Sequence, residues 1–315
     1  MADIAKLLAN VQSTSWGDLL RDWERFLRAA NHPETTRYGY LLAACQLAGY
    51  LAGEMPDSGP ARDPSLVTRR QVIAFQAWMI DTRSPATAVN KHKSLQQFFR
   101  WLVEEDEMQC SPMSGVPLPD AGQKLIPLIS DDETRQILDA CKGSSFLQLR
   151  DQALVRMYYN TGARLSEIGC LLVTEVDLDT NSVLLHGKGG KDRRVRFGAA
   201  TARVLTRYLR ARNRLAGIAD VKQLWVCGKG ARPLRPSGIK IRLKRIGEKA
   251  GLKGVYAHRW RHSFAHEWKL AGGDTGDLMV LLGWSSEEMP RRYGASAAAE
   301  RAQQTQSRLG IGERV

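Results

Sequence analysis

Residues 161–197, TGARLSEIGCLLVTEVDLDTNSVLLHGKGGKDRRVRF, change period part-way, and that change decides the fold class. The stretch opens where a helix running from about residue 147 to 160 stops at Thr161-Gly162, glycine being the residue that most readily takes the left-handed turn ending a helix. Arg164 stands at the junction, Leu165 or Ser166 opens the next helix, and Glu167 follows the arginine by three residues. From Val176 onward the spacing becomes that of three short strands, turning at residues 179–181 and 187–190. Helical spacing resumes at about 200–215, 236–250, 259–271, 275–282, 286–293 and 296–309. Upstream, Ser130-Asp131-Asp132-Glu133 caps a helix reaching about Cys141. The reading is therefore mainly α with a small antiparallel β-sheet, an α+β unit.

Further upstream the pattern is helical alone. Ser15 and Asp18 resemble a capping box, with Trp16, Leu19, Leu20, Trp23, Phe26 and Leu27 behind them at helical spacing. A second helix runs from about Thr36 to Gly53, and Thr68 with Gln71 caps a third carrying Val72, Phe75 and Met79. Ser84-Pro85 starts a fourth, with Val89, Leu95, Phe98, Phe99 and Leu102 on its apolar face. Between the two regions lies SPMSGVPLPDAGQKLIP (111–127), whose four prolines and two glycines disfavour regular structure. The expected organisation is a four-helix domain over 1–115, a linker over 116–127 and a second domain over 128–315.

The 315 residues carry 46 Lys+Arg against 33 Asp+Glu, a formal net charge of +13. Residues 1–115 hold 12 basic and 13 acidic side chains, so the whole excess lies downstream, and 201–250 alone holds 14 basic and 2 acidic ones. Such a balance points to a polyanionic partner. The five cysteines are odd in number and never spaced CxxC, which argues against a disulfide framework or structural zinc and for a reducing cytoplasm. No stretch approaches the ~20 apolar residues of a membrane helix, and the first residues lack the order of a signal peptide.

Several places carry chemistry. Arg164 can present its planar fork to a phosphate, or simply pair with Glu167. Lys188 is flanked by glycines at a hairpin tip, yet a turn lysine is ordinarily only solubilising; GxxxxGK[ST] is absent, which disfavours a nucleotide loop. His258, His262 and His266 fall on one helix face, but with no HExxH and no acidic or thiol partner a metal site is disfavoured. His258 also pairs with Arg261 at i+3. Trp284 follows a glycine, Tyr293 lies nine residues on, and Arg291 and Arg292 precede it. Arg203, Arg207, Arg210 and Arg214 make one basic helix stripe, and Arg242, Lys244, Arg245 and Lys249 a second, suited to phosphate-backbone contact.

Singly these signals are weak, but their order is specific. TGARLSE, HGKGGKDR, HRWRHSFA and LLGWSSEEMPRRY together resemble the tyrosine recombinase (phage integrase, lambda-integrase-like) family, with the two-domain architecture of its Xer-like and Cre-like members, over roughly residues 15–310. The resemblance implies an N-terminal SAM-like core-binding domain and a C-terminal catalytic domain clamped on duplex DNA. It implies Tyr293 as nucleophile forming a 3′-phosphotyrosyl link, Arg164 and Arg261 on the non-bridging oxygens, and Lys188 as general acid. It further implies His258 and the Trp284 indole N–H as phosphate-side groups and Glu167 as the orienting carboxylate. Arg69, Arg70, Lys91, Lys93, Arg193, Arg194, Lys240, Arg242, Arg291 and Arg292 are the expected DNA-contacting cations. No metal, ATP or other cofactor is called for, and the implied assembly is a dimer per recombination site and a tetramer in synapsis.

Two departures stand out. The family more often has histidine where Trp284 stands, and Trp cannot act as acid or base; Met289-Pro290-Arg291-Arg292 replaces a more usual threonine-rich lead-in. Only about 15 residues precede the first core-binding helix, which disfavours an arm-binding domain. The departures at Trp284 and Met289–Arg292 favour integration or excision of a phage or mobile element over Xer-like chromosome-dimer resolution, with type IB topoisomerase-like relaxation as a further alternative. The alanine-rich tail after Tyr293 reads as a helix that either docks on a neighbouring protomer or frays.

Overall fold

The computed structural model describes residues 3–11, 15–54, 56, 58–122, 126–187, 190–228, 230–310 and 313, without the side chains of 291–297, 299–301 and 304. Two compact units divide the chain, Met1–Lys124 and Leu125–Val315.

The first unit is helical: α1 (Ile4–Ala9), α2 (Ser15–Ala29), α3 (Glu34–Glu54), the single turn α4 (Gly59–Arg62), α5 (Arg69–Thr82) and α6 (Pro85–Glu104). The four long helices are those read from the sequence; α1 and α4 are additions too short to carry a periodic signal. Local chemistry sets the boundaries. The Thr68 N–H donates to Gln71 Oε1 at 2.8 Å ahead of α5, and Ser84 Oγ accepts from the Thr87 N–H at 3.2 Å ahead of α6. Trp16, Leu20, Trp23 and Leu27 form the buried stripe of α2, with Trp23 and Phe98 ring centroids 4.9 Å apart. Phe26, expected in that stripe, is exposed, because the 16, 20, 23, 27 series already covers the core-facing arc. Met113 and Val116 are buried in this core, and Gln76 Nε2 donates to the Pro117 carbonyl at 2.9 Å, so the start of the proline-rich stretch packs on this unit.

The second unit surrounds α8 (Phe146–Thr161), preceded by α7 (Asp131–Ala140) and followed by the short α9 (Leu165–Gly169). Ser130 and Glu133 cap α7 reciprocally, as their spacing predicts. The antiparallel sheet has the order β1 (Val176–Asp177), β2 (Ser182–His186), β3 (Asp192–Arg196). Val183 pairs with Val195 and Leu185 with Arg193, all four on the buried face. Then come α10 (Ala199–Arg212), α11 (Pro236–Lys249), α12 (Ala257–Leu270), α13 (Thr275–Leu282) and α14 (Glu288–Leu309). The sequence suggested two helices over 286–293 and 296–309. They are one, because Gly294 inside a helix costs only about 1 kcal/mol relative to alanine, too little to break it.

Arginines hold much of the irregular backbone of this unit. Arg212 gathers the Leu224, Val221 and Gln223 carbonyls, and Arg259 those of Pro127, Leu128, Lys253 and Gly254. Trp225, stacked on Tyr208, donates its indole N–H to the Ile168 carbonyl at 2.7 Å and so ties this loop to α9. No described helix is long and apolar enough to cross a membrane. Trp225→Phe is expected to destabilise the protein by about 1–3 kcal/mol through the stranded carbonyl, and Trp225→Ala by about 3–5 kcal/mol. Urea unfolding of the full chain, followed by circular dichroism, measures both.

Candidate active site

Two chain reversals meet beside one helix. Gly162 ends α8 at φ +56°, Gly283 ends α13 at φ +61°, and the first turns of α12 pass beside them. Both glycines sit in the left-handed region, where any residue with a Cβ is strained. A Cβ on Gly162 would lie 2.9 Å from Phe264 Cγ, and one on Gly283 would lie 3.1 Å from Arg193 Nη1. The two turns thus offer backbone carbonyls at close quarters, and arginines collect them.

Arg261, 1% exposed, donates from Nη1 to the Gly162 carbonyl at 3.1 Å and from Nη2 to the Leu282 carbonyl. Arg164 donates from Nη2 to the next carbonyl, Gly283, at 3.1 Å. Two guanidinium groups 97 positions apart in sequence are thereby registered on consecutive residues of one turn. The Trp284 ring completes the wall, its centroid 5.1 Å from Arg261 Cζ.

Behind them lies the Glu167 carboxylate, with only 3% of its side chain exposed. Oε1 accepts from Arg164 Nη1 at 2.7 Å and Arg193 Nη1 at 3.0 Å; Oε2 accepts from the Arg164 backbone N–H at 2.7 Å and Arg193 Nη2 at 2.9 Å. Burial acts to raise the Glu167 pKa, but the bonds from Arg193 and Arg164 outweigh it and hold the carboxyl below its ordinary 4.5. Arg193 also donates from Nε to the Leu281 carbonyl at 2.6 Å. Expected as a DNA contact, Arg193 is instead buried. On β3 it shares its face with Val195, and Phe197 just beyond is buried too. The period-2 alternation in DRRVRF carried that signal.

The remaining expected residues fall as follows. His258 is exposed near the start of α12, its ring meeting that of buried His262 edge-on at 5.0 Å. Lys188 lies outside the described residues. Tyr293, Arg291 and Arg292 lie on α14, which packs against α12, but their side chains are outside the described set. Arg69, Arg70, Lys93, Arg194 and Lys240 are exposed, although Arg69 donates to the Gly115 carbonyl and Arg194 to Ser182 Oγ. Lys91 is half-buried, and burial lowers its pKa. Arg242 is committed to Asp151, with Nε 2.8 Å from Oδ2, a partner 91 residues away that no local pattern reveals. Among the described residues no group of three His, Cys, Asp or Glu side chains could hold a metal.

The sequence pattern of the phage integrase family matches residues 127–300, more than half the chain, and that of the phage integrase N-terminal SAM-like domain matches residues 19–108. The chain belongs to the phage integrase family, the tyrosine recombinases. This recombinase is 33% identical to tyrosine recombinase XerC of Lactobacillus delbrueckii subsp. bulgaricus over 220 residues, 69% of this chain and 74% of that one. It is 31% identical to XerC of Alcanivorax borkumensis over 243 residues, 72% and 78% of the two chains. Among solved structures, XerH recombinase bound to a palindromic difH substrate superposes with a TM-score of 0.71 at 22% identity, covering 91% of this chain and 82% of that one. The Tn1549 transposon integrase with transposon right-end DNA gives 0.72 at 18%, covering 93% and 99%. At these identities the two structures speak for the fold alone.

The recombinase also holds a residue that the sequence reading passed over. His186, the last residue of β2, places Nε2 2.7 Å from Glu175 Oε1 and Nδ1 2.9 Å from Asp192 Oδ2, at the base of the hairpin bearing Lys188. Only the imidazolium can donate to both, so the bonds to Asp192 and Glu175 raise its pKa above the ordinary 6.5. The hairpin's stabilisation by His186 is therefore complete below about pH 6.5 and lost as pH rises through the raised value. Exchange of the Gly187 amide, which donates to the Lys191 carbonyl, corrected for its intrinsic rate, is expected to be better protected at pH 6 than at pH 8. His186→Gln should abolish that difference.

Proposed function

We propose that Arg164 and Arg261 clamp the non-bridging oxygens of a scissile DNA phosphate while the Tyr293 hydroxyl oxygen attacks phosphorus. The observation that carries this is the registration of both guanidinium groups on the consecutive carbonyls of Leu282 and Gly283. A phosphodiester resists attack because it is anionic, and fixed cations aimed at the charge developing in the transition state lower that barrier. Arg164 uses two of an arginine's five N–H groups on described protein partners, which leaves three directions for phosphate oxygens.

As Tyr293 Oη bonds to phosphorus it loses its proton to solvent, the P–O5′ bond breaks, and the departing 5′-oxygen takes a proton from Lys188, which solvent then reprotonates. A 5′-hydroxyl remains, with the 3′-phosphate esterified to tyrosine. Attack by another 5′-hydroxyl reverses these changes, and because the ester conserves the phosphodiester linkage no nucleotide hydrolysis is needed. His258 and the Trp284 indole N–H serve the same phosphate as hydrogen-bonding groups, and Glu167 orients Arg164. Exposed Arg69, Arg70, Lys93, Arg194 and Lys240 hold the flanking duplex. The partner is duplex DNA bearing specific sites, bound by dimers that join as tetramers; XerH and lambda integrase, of the same fold, are described as DNA complexes, the latter as dimer and tetramer. The place of action is the cytoplasm, with the DNA.

The biological role read here is integration or excision of a mobile element, supported by the departures at Trp284 and Met289–Arg292 from the more usual family pattern. Chromosome-dimer resolution is the second reading, favoured by the XerC and XerD names of the relatives. A strain lacking the gene accumulates chromosome dimers under the second reading and not under the first.

A nicked suicide duplex carrying the sequence that the protein itself selects from a randomised duplex pool should trap a covalent adduct, unaffected by EDTA. Tyr293→Phe is expected to abolish the adduct. Arg164→Ala and Arg261→Ala are each expected to slow cleavage by about 100- to 1,000-fold while leaving binding largely intact. An adduct persisting in Tyr293→Phe would remove Tyr293 from its role.

A further inference from the structure

We propose that Arg193 is a positioning residue whose buried guanidinium neutralises Glu167, so that the Arg164 charge is left for the substrate phosphate. The inference rests on the Arg164 role proposed above. Glu167 touches two arginines that differ sharply in their surroundings. Arg193 has 7% of its side chain exposed and Arg164 35%. The Arg193 N–H groups are directed inward, Nη1 and Nη2 to the two oxygens of Glu167 and Nε to the Leu281 carbonyl. Arg164 gives Glu167 a single side-chain bond, from Nη1.

The charges fix the consequence. Arg164 with Glu167 alone is a self-neutralised pair, in which a phosphate would meet a carboxylate as well as a guanidinium. Adding Arg193 from the other side gives the group a net charge of +1, and the cation nearest solvent is Arg164. The carboxylate can then orient Arg164 by hydrogen bonding without cancelling it. Gly283 makes this packing possible, since a Cβ there would lie 3.1 Å from Arg193 Nη1 and 3.6 Å from Arg164 Nη1. Because Arg193 belongs to β3, the strand that descends from the Lys188 hairpin also supplies this counter-charge.

The test is single-turnover cleavage of the same self-selected nicked duplex, with DNA binding and circular-dichroism melting as folding controls. Arg193→Met is expected to lower the cleavage rate about a hundredfold. Adding Glu167→Gln to Arg193→Met removes the uncompensated carboxylate and is expected to return at least about tenfold of that loss. A double variant no better than the single one overturns the proposal, as do cleavage rates that merely follow the melting temperatures of the wild-type, single and double variants. Arg193→Lys, which keeps the charge without the fork, should stay within about tenfold of wild type. It carries the test if Arg193→Met does not fold; a loss as deep as that of Arg164→Ala overturns the proposal. A wild-type protein that forms no adduct overturns the functional reading and this inference with it, whereas a reactive wild type with failed rescue overturns this inference alone.

Discussion

A single buried carboxylate sets the geometry of the catalytic unit. Glu167 receives four hydrogen bonds, two from Arg193 and two from Arg164. Through these donors it joins the start of α9 to β3, and through their carbonyl partners Leu281 and Gly283 it reaches the end of α13. Taking a carboxylate out of water is costly, and the cost is offset only when its lone pairs are filled by well-placed cations. Removing one partner of such a buried pair typically costs about 3–5 kcal/mol. The cluster also needs the left-handed turn at Gly283, because a Cβ there would lie 3.1 Å from Arg193 Nη1.

The turns matter for a second reason. Backbone carbonyls at helix ends are obligatory acceptors, and a chain that buries them must supply donors. This protein supplies arginine repeatedly: Arg261 at the ends of α8 and α13, Arg212 and Arg259 over irregular loops, and Arg150 at the Val226 carbonyl. A planar group with five donors can close several such gaps at once. The site is therefore continuous with the way the whole unit is held together, and differs in that Arg164 remains partly exposed.

Much of this was legible in the sequence. The capping pairs at Ser130–Glu133 and Thr68–Gln71, the change of period after Val176 and the glycine stop at 162 are local signals, and the structure places those elements where the signals fall. Arg164 and Glu167 were legible as a pair because only three residues separate them. Partnerships across long separations were not. Arg242 looked like a surface cation until Asp151 came beside it, and the bonds from Arg193 to Glu167 span 26 residues. The alternation that turns Arg193 inward was present in the sequence, but counting positive charges hid it, since a count treats every arginine as facing water.

That arginine usage bears on how binding to DNA responds to salt. A cation contributes to the salt dependence only by displacing a counterion condensed on the DNA, with a slope near −0.9 per neutralised phosphate. Arg150, Arg193, Arg212 and Arg259 are buried and hold carbonyls or carboxylates within the fold, so they have no such ion to displace. The formal excess of +13 thus overstates the sensitivity of this protein to ionic strength; the cations that could displace such an ion are the exposed ones, such as Arg203, Arg207 and Arg210 of α10 and Arg214 just beyond its end.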